Sequence, residues 1–312
     1  MSKQSVVVRK SDRRRSARRI EKEVQVFEGG TDHSPTSAAQ VLQRATASLR
    51  GVSDSPRIES EILLMHVLGT SRARLLAHPE RTLTSAQVTR YGKLVDDRIS
   101  GYPLPYLTGK MEFYGLDIEV TPEVLIPRPE TEALVDLALD RRPKTVVDVG
   151  TGSGCIAVAL AAHLPETVVY GIDISPAALA VARRNAERHG VGGRVRLIAG
   201  DLLDRRPGPV DLIVSNPPYV SADEWASLPP SVRDHEPRLA LDGGPDGLEV
   251  VRRLLSQTQG LLKPGGALLI EIGAAQGDAA RKAAETVFPE NGTSIRIHPD
   301  LAGRDRILEI QT

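Results

Sequence analysis

Cysteine is almost absent from this sequence of 312 residues, since Cys155 is the only one. A single cysteine excludes an internal disulfide framework and favours a reducing compartment, so we expect a cytoplasmic protein. The sequence also lacks a run of roughly 18 or more apolar residues, the length that a membrane-spanning helix needs. Its N-terminus has no apolar secretory core. We therefore expect no membrane association and no export.

An excess of charge of one sign is also missing. The chain has 40 basic and 40 acidic residues, which give a formal net charge of zero. Because no global positive field attracts a phosphate backbone, we expect no stable binding of nucleic acid. Residues 1–35 are a local exception, with the dense cluster Arg13-Arg14-Arg15. They predict a basic disordered tail, with an RNA- or ribosome-contacting arm or an organelle transit peptide as alternatives.

The apolar pattern divides the remaining chain into two domains. Residues 36–108 show helical spacing and predict a small helical bundle. The segment Gly101–Tyr106 contains two prolines, which cannot continue a helix, and it marks a domain boundary. Residues 109–312 form the second domain, which opens with a hairpin predicted at 110–120.

From Thr145 onward, short apolar strands alternate with amphipathic helices. We expect strands at 145–149, 168–172, 194–198, 210–214 and 267–272, and helices at 154–163, 176–189, 247–262 and 274–287. Alternation of this kind predicts a parallel sheet with helices on both faces. The tail predicts two more strands that turn back on each other. The expected fold class is therefore α/β, a Rossmann-like, seven-stranded and mostly parallel sheet preceded by the helical bundle.

A glycine-rich loop, Asp148-Val149-Gly150-Thr151-Gly152-Ser153-Gly154, joins the first strand of this domain to a helix. Three alternating glycines allow a tight turn and the close approach of a ligand to the backbone, and the helix N-terminus offers unpaired N–H groups. For a nicotinamide-dinucleotide fingerprint, the third glycine comes one residue early. The spacing therefore favours S-adenosylmethionine, with Gly150 to Gly154 around the cofactor.

Acidic residues follow three successive strands, at Asp148, Asp173 and Asp201. Asp148 is placed to bind the methionine ammonium, directly or through water. Asp173 lies about 20 residues past the loop, where an acid accepts hydrogen bonds from ribose hydroxyls. Asp201 can bind the adenine amine, with Leu202 packed beside the ring. Each acid alone could equally cap a turn, but together with the glycines they predict a cofactor site.

The segment Asn216-Pro217-Pro218-Tyr219 follows a buried strand. Two prolines stiffen the chain and leave its carbonyls as fixed acceptors. If an amide nitrogen donates to the Asn216 side-chain oxygen and the Pro217 carbonyl, its lone pair is aimed at the sulfonium methyl. Tyr219 can cover the flat face of the amide. We therefore predict methylation of a planar nitrogen without a metal. Asn216, Pro217 and Tyr219 are the predicted catalytic residues, and all four residues of the segment Asn216–Tyr219 are predicted to bind the acceptor.

At these residues the sequence resembles the HemK/PrmC family, the N5-glutamine methyltransferases of class 1 peptide chain release factors. The resemblance includes the segments Leu125–Glu132, Glu236–Leu241 and Gly243–Leu248. It implies a class I methyltransferase fold, S-adenosylmethionine as donor, S-adenosylhomocysteine as by-product, and the glutamine of a Gly-Gly-Gln loop as acceptor. It also implies that the helical domain at 36–108 helps to bind the release factor, that Asn216 touches both the cofactor and the glutamine, and that Phe113 lies against the cofactor. We expect a monomer.

Three rival functions remain open. An adenine-N6 DNA methyltransferase would use the same tetrapeptide on a flipped base, but the neutral charge and the absence of a basic target-recognition domain argue against it. A nicotinamide-dependent oxidoreductase would use the glycine loop alone. An assembly protein without catalysis would not need an intact Asn216–Tyr219 segment. His235 and Glu236 lie nearby in sequence, and we interpret them as structural.

Overall fold

The computed structural model describes residues 36–205, 207–289 and 292–312. The prediction of a disordered basic tail concerns residues 1–35, which lie outside the described residues. Between Thr108 and Gly109 the chain divides into two compact units. Within the described ranges, every helix is too short or too polar to cross a lipid bilayer.

The first unit is helical in its described part, as predicted. Its helices are α1 (Ala38–Leu49), α2 (Pro56–Leu68), α3 (Arg72–Ala77), α4 (Ser85–Ile99) and α5 (Leu104–Thr108). Helix α1 begins with a capping box, in which Ser37 and Gln40 each accept a hydrogen bond from the other's backbone N–H. Val41, Leu63 and Tyr91 are fully buried where α1, α2 and α4 pack together. An amphipathic pattern therefore produced a bundle with a single apolar core.

The proline-containing segment differs in part from its prediction. Helix α4 ends at Ile99, as the prolines require, but α5 begins at Leu104 and includes Pro105. Proline is tolerated there because the N–H groups of a first helical turn have no partner within the helix. The division between the units follows this short helix.

The second unit opens with the predicted hairpin, β1 (Lys110–Phe113) and β2 (Leu116–Glu119). The chain then continues through α6 (Glu132–Asp140), β3 (Thr145–Val149), α7 (Cys155–His163), β4 (Val168–Asp173), α8 (Pro176–Arg188), β5 (Val195–Ala199), β6 (Val210–Ser215), α9 (Ala222–Trp225), α10 (Pro230–Arg233), α11 (Glu249–Thr258), β7 (Leu262–Glu271), α12 (Gly277–Val287), β8 (Ser294–Pro299) and β9 (Asp305–Gln311).

Seven of these strands form one sheet in the order β5-β4-β3-β6-β7-β9-β8. Strand β9 is antiparallel to both of its neighbours, and the other pairs are parallel. The prediction of a seven-stranded, mostly parallel sheet is confirmed. Because the winding direction reverses between β3 and β6, the carboxyl ends of these two strands border a crevice, the usual ligand position in such sheets.

Helices cover both faces of the sheet. On one face, α11 and α12 pack against strand residues such as Val149 and Ile213. Val146 and Leu212 are also fully buried and point to the other face by strand alternation. Helices α6, α7 and α8 contact the sheet on that side. With both faces covered, the central strands β3 and β6 are mostly apolar, whereas the edge strand β8 carries Ser294, Arg296 and His298.

Two elements differ most from their predicted boundaries, while α12 begins at Gly277 rather than at 274. The helix expected at 247–262 is shorter, because the backbone at Gly260 is left-handed with φ of 72° and cannot continue α11. The strand expected at 267–272 is longer and begins at Leu262. A register shift between Val210 and Leu212 of β6 allows β7 to pass through Gly265 and still pair with β6.

Candidate active site

A cavity of about 410 Å³ lies at the carboxyl ends of the central strands. Its walls include Gly150–Ser153 after β3, Asp173–Ser175 at β4, Gly200–Leu202 after β5, and both Asn216 and Pro218 after β6. The volume is in the range of small-molecule sites, and the position is the crevice created by the strand order. The fold therefore brings most of the predicted site residues together.

The glycine loop keeps its shape through left-handed glycines and backbone hydrogen bonds. The backbone N–H groups of Gly150 and Thr151 both donate to the Ile172 carbonyl, at 2.8 and 3.0 Å. Gly154 has φ of 79°, and a Cβ there would lie 3.0 Å from the Cβ of Ala182 in α8. Glycine is required at this position because α7 and α8 approach too closely for any side chain. Gly154 is the N-cap of α7 and is not among the described residues that line the cavity.

Asp173 lines the cavity and also fixes the loop. Its Oδ2 accepts a hydrogen bond from the Gly152 N–H at 2.8 Å, and its Oδ1 accepts from the Ser175 N–H at 2.8 Å. Burial raises the pKa of Asp173, while these backbone donors lower it. A carboxylate oxygen can accept more than one hydrogen bond, so Asp173 retains acceptor capacity for a ligand hydroxyl.

Asp148 is not among the described residues that line the cavity. The residue is fully buried, and the cavity wall contains Thr151 instead. Its Oδ2 accepts from the Thr151 hydroxyl at 2.6 Å, whereas its Oδ1 is buried without a hydrogen-bond partner among the described residues. Burial raises the pKa of Asp148 to about 7. Asp148 is therefore one layer behind the surface that a ligand would touch, and its contact with an ammonium group stays a prediction.

Asp201 and Leu202 both line the cavity. Asp201 is half-exposed and accepts a hydrogen bond from the Arg253 guanidinium of α11. An adenine amine would therefore share this carboxylate with Arg253, a partner that sequence reasoning missed. Leu202 has φ of 55° and packs against the core cluster, which presents its side chain as an apolar wall.

Phe113 is buried at the end of β1, with 1% of its surface exposed, and is not among the described residues that line the cavity. Its predicted contact with the cofactor stays a prediction. The hairpin is held instead by Asn185 of α8, which accepts from the Glu119 N–H at 2.7 Å and donates to the Ser153 carbonyl at 2.8 Å. An asparagine inside an amphipathic helix was the signal available in the sequence, and the structure shows that Asn185 is fully buried.

The tetrapeptide after β6 is only partly exposed to the cavity. Asn216 and Pro218 line it, whereas Pro217 is buried. The Tyr219 hydroxyl donates to the Glu271 Oε1 at 3.4 Å, and its carbonyl accepts from the Gln276 side chain at 2.9 Å. Burial raises the pKa of Tyr219. The Tyr219 ring is thus anchored toward the protein interior, and its role as a cover over the acceptor stays a prediction.

A hydroxyl and a buried carboxylate are hydrogen-bonded in series to Asn216, and Thr131, which has the hydroxyl, also lines the cavity. The Asn216 Nδ2 donates to the Thr131 Oγ1 at 3.1 Å, and the Thr131 hydroxyl donates to the Glu271 Oε2 at 2.7 Å. Glu271 is 1% exposed, and burial raises its pKa. Sequence reasoning missed Thr131 and Glu271 as a pair because they are 140 residues apart. The only signal was an acidic residue at the end of an apolar strand.

Glu236 holds a second part of the cavity wall. Its buried carboxylate accepts from the Ile126 N–H at 3.1 Å and from the Arg128 guanidinium at 2.5 Å. Pro127 and Arg128 line the cavity on one side, and Leu239 lines it on the other. The structural interpretation of Glu236 therefore agrees with its contacts, since it joins two loops that are far apart in sequence.

The sheet order, the reversed strand β9 and the glycine loop beside a strand-end cavity define a class I methyltransferase. A methyltransferase small domain model matches residues 129–228. The crystal structure of the hMettl16 catalytic domain in complex with MAT2A 3'UTR hairpin 6 resembles this chain with a TM-score of 0.52 and 17% identity, over 74% of this chain and 84% of that one. That likeness concerns the fold alone.

Comparison with curated proteins identifies the family. A release factor glutamine methyltransferase of Moorella thermoacetica is 48% identical over 273 residues, 86% of this chain and 95% of that protein. One of Rhodopirellula baltica is 41% identical over 294 residues, 90% of this chain and 98% of that protein. A PrmC N-terminal domain model also matches residues 40–109. The chain belongs to the family of release factor glutamine methyltransferases, which confirms the resemblance and the enzyme class predicted from sequence.

Proposed function

We propose that this protein transfers a methyl group from S-adenosylmethionine to N5, the side-chain amide nitrogen, of the glutamine in the Gly-Gly-Gln loop of a class 1 release factor. The observation that carries the proposal is the position of Asn216. Its amide lines the cavity directly after β6, and β6 pairs with β3, whose glycine loop lines the same cavity. The side chain proposed to bind the amide and the loop proposed to bind the cofactor therefore lie at adjacent strand ends.

The residues of the cavity fit an S-adenosyl ligand. The backbone of Gly150–Ser153 can approach the methionine portion, Asp173 can accept hydrogen bonds from ribose hydroxyls, and Leu202 offers an apolar surface to the adenine. The buried and unpaired Oδ1 of Asp148 favours a positive charge nearby. When bound, the cofactor supplies an electrophilic methyl group on a sulfonium centre.

The proposed role of the chain's own residues is to orient the substrate amide. The lone pair of an amide nitrogen is delocalised into its carbonyl, so the nitrogen is a poor nucleophile. Asn216 Oδ1 and the Pro217 carbonyl accept its two N–H groups, which raises electron density at nitrogen and aims it at the methyl group. As the sulfur–methyl bond breaks, the same acceptors would stabilise the charge that develops on nitrogen. The N-methylated amide is then strongly acidic and would lose one proton to solvent water, so no strong general base is required.

We extend the proposal to the helical unit, which would offer a surface that binds the release factor. We also propose that the enzyme is a monomer and that it does not bind nucleic acid stably. Ile58 and Leu76 of this unit are apolar and exposed, at 49% and 46%. A photo-crosslinking amino acid at either position of the full chain should capture the release factor. If neither position gives a crosslink, the proposal for this unit is wrong.

The test of the activity uses labelled S-adenosylmethionine and a purified release factor. We expect label in the release factor, none in a variant whose loop glutamine is alanine, and none in adenine-containing DNA. Asn216→Ala should lower kcat by about 100-fold, as expected for the loss of an interaction made in the transition state. Its Kd for S-adenosylmethionine should change by less than about threefold, because the cofactor loop is untouched. Equal labelling of the glutamine-free release factor would overturn the proposed function.

A further inference from the structure

The Asn216 amide is useful to catalysis only in one of its two orientations. Its carbonyl oxygen accepts from the substrate amide, whereas its NH2 group would repel a substrate N–H. The two orientations have almost the same shape, so packing alone does not select between them. A hydrogen-bond partner with a fixed role has to make the selection.

Thr131 is the partner of Asn216, and its own role is fixed by Glu271. A carboxylate accepts hydrogen bonds and donates none. The Thr131 hydroxyl has one proton, which it donates to the Glu271 Oε2 at 2.7 Å. Its oxygen is then left only with lone pairs, so it can accept from the Asn216 Nδ2 at 3.1 Å but cannot donate to the Asn216 Oδ1.

Buried Arg306 favours the ionised form of Glu271 that this order of donors requires. Burial raises the pKa of Glu271, whereas the hydrogen bond from Thr131 and the positive charge of Arg306, which is 7% exposed, oppose that rise. The Tyr219 hydroxyl also donates to Glu271, at 3.4 Å, through the other carboxylate oxygen. A buried carboxylate at the end of a central strand is costly unless it is paired. Here one oxygen of Glu271 accepts from Thr131, the hydrogen-bond partner of Asn216, and the other accepts from Tyr219 of the tetrapeptide.

We propose that Glu271 and Thr131 are positioning residues, which turn the Asn216 amide so that its Oδ1 faces the substrate glutamine. The catalytic part of this inference rests on the proposed function, whereas the orientation of Asn216 does not. The chain from Glu271 through Thr131 to Asn216 joins β7, the turn before α6 and the end of β6. The three side chains act as one unit.

Kinetics of matched variants test the catalytic part. Thr131→Val preserves shape but removes the hydroxyl, so kcat should fall by about tenfold. Thr131→Ser preserves the hydroxyl and should stay within about threefold of the wild type. On an Asn216→Ala background, Thr131→Val should cause no further loss, because there is no amide left to orient. An undiminished further loss in the double variant would mean that Thr131 is merely structural and would overturn the inference.

Nuclear magnetic resonance tests the orientation without any substrate. The chain contains three asparagines, Asn185, Asn216 and Asn291, so 15N-asparagine labelling gives a simple spectrum of side-chain amides. In the wild type, the Asn216 NH2 should be protected from hydrogen exchange, and Thr131→Val should remove this protection while Asn185 is unchanged. Equal Asn216 exchange in both proteins would overturn the inference. A wild type with protected Asn216 but no methylation of a release factor would instead refute the proposed function alone.

Discussion

Replacement of Gly247 by alanine should reduce catalysis by displacing the backbone of Tyr219. A Cβ at Gly247 would lie 2.3 Å from the Tyr219 carbonyl oxygen and 2.4 Å from the Gln276 Nε2, whereas ordinary contacts begin at 3.4 Å. The carbonyl oxygen therefore has to retreat by about 1 Å, a displacement that can cost about 100-fold in rate at a catalytic group. We expect Gly247→Ala to lower kcat by about 100-fold, or about 2.7 kcal/mol of activation free energy.

The same substitution also strains the backbone, and that effect needs a control. Gly247 has φ of 75°, whereas Gly260 has φ of 72° and a Cβ added there would have nothing within 4 Å. Both variants should lose about 1–2 kcal/mol of unfolding free energy from the left-handed conformation, but Gly260→Ala should keep its kcat. Its position after α11 is not among the described residues that line the cavity.

Three assays separate these effects. Steady-state labelling of a release factor gives kcat, and equilibrium titration gives the Kd for S-adenosylmethionine, which Gly247→Ala should change by less than about threefold. Urea unfolding followed by the fluorescence of Trp225, the only tryptophan, reports on the second unit. Equal kcat values for Gly247→Ala and Gly260→Ala would refute the reasoning, since only the first substitution presses on the Tyr219 carbonyl.

Three further predictions concern the cavity wall. Gly154→Ala places a Cβ 3.0 Å from α8 and should lower the unfolding free energy by about 2–4 kcal/mol. The control Gly190→Ala, where an added Cβ has nothing within 4 Å, should lower it by only about 1–2 kcal/mol. Equal urea midpoints for the two variants would contradict this prediction. Because the pKa of Asp148 is raised to about 7, its native form binds a proton that its unfolded form releases, so its contribution to stability falls as pH rises from about 4 to 7. Asp148→Asn should remove this pH dependence of the unfolding free energy. Identical pH profiles for the variant and the wild type would contradict the prediction. Glu236→Gln removes the charge that holds Arg128 and should raise the cofactor Kd by about tenfold, whereas an unchanged Kd in titration would oppose that role.

Local pattern determined the larger elements of the fold. Alternating apolar runs located the strands of the sheet, and the glycine spacing located the turn after β3, because each depends on residues close together in sequence. Element ends were less well determined, as at α11, where Gly260 ends the helix earlier than its apolar periodicity predicts. The hairpin was predicted correctly, whereas the full burial of Phe113 was not visible in the sequence, since burial depends on what packs over a strand.

The sequence by itself determined the chemistry on offer: a glycine loop that exposes backbone donors, acids at successive strand ends, and a tetrapeptide whose prolines fix its carbonyls. The tertiary structure alone decided which of these groups reach the cavity. It placed Asp148 behind Thr151, turned Tyr219 toward Glu271, and joined Glu271 to Asn216 through Thr131. The physical reason is that hydrogen-bond donors and acceptors far apart in sequence are paired only when the strands carrying them are packed side by side.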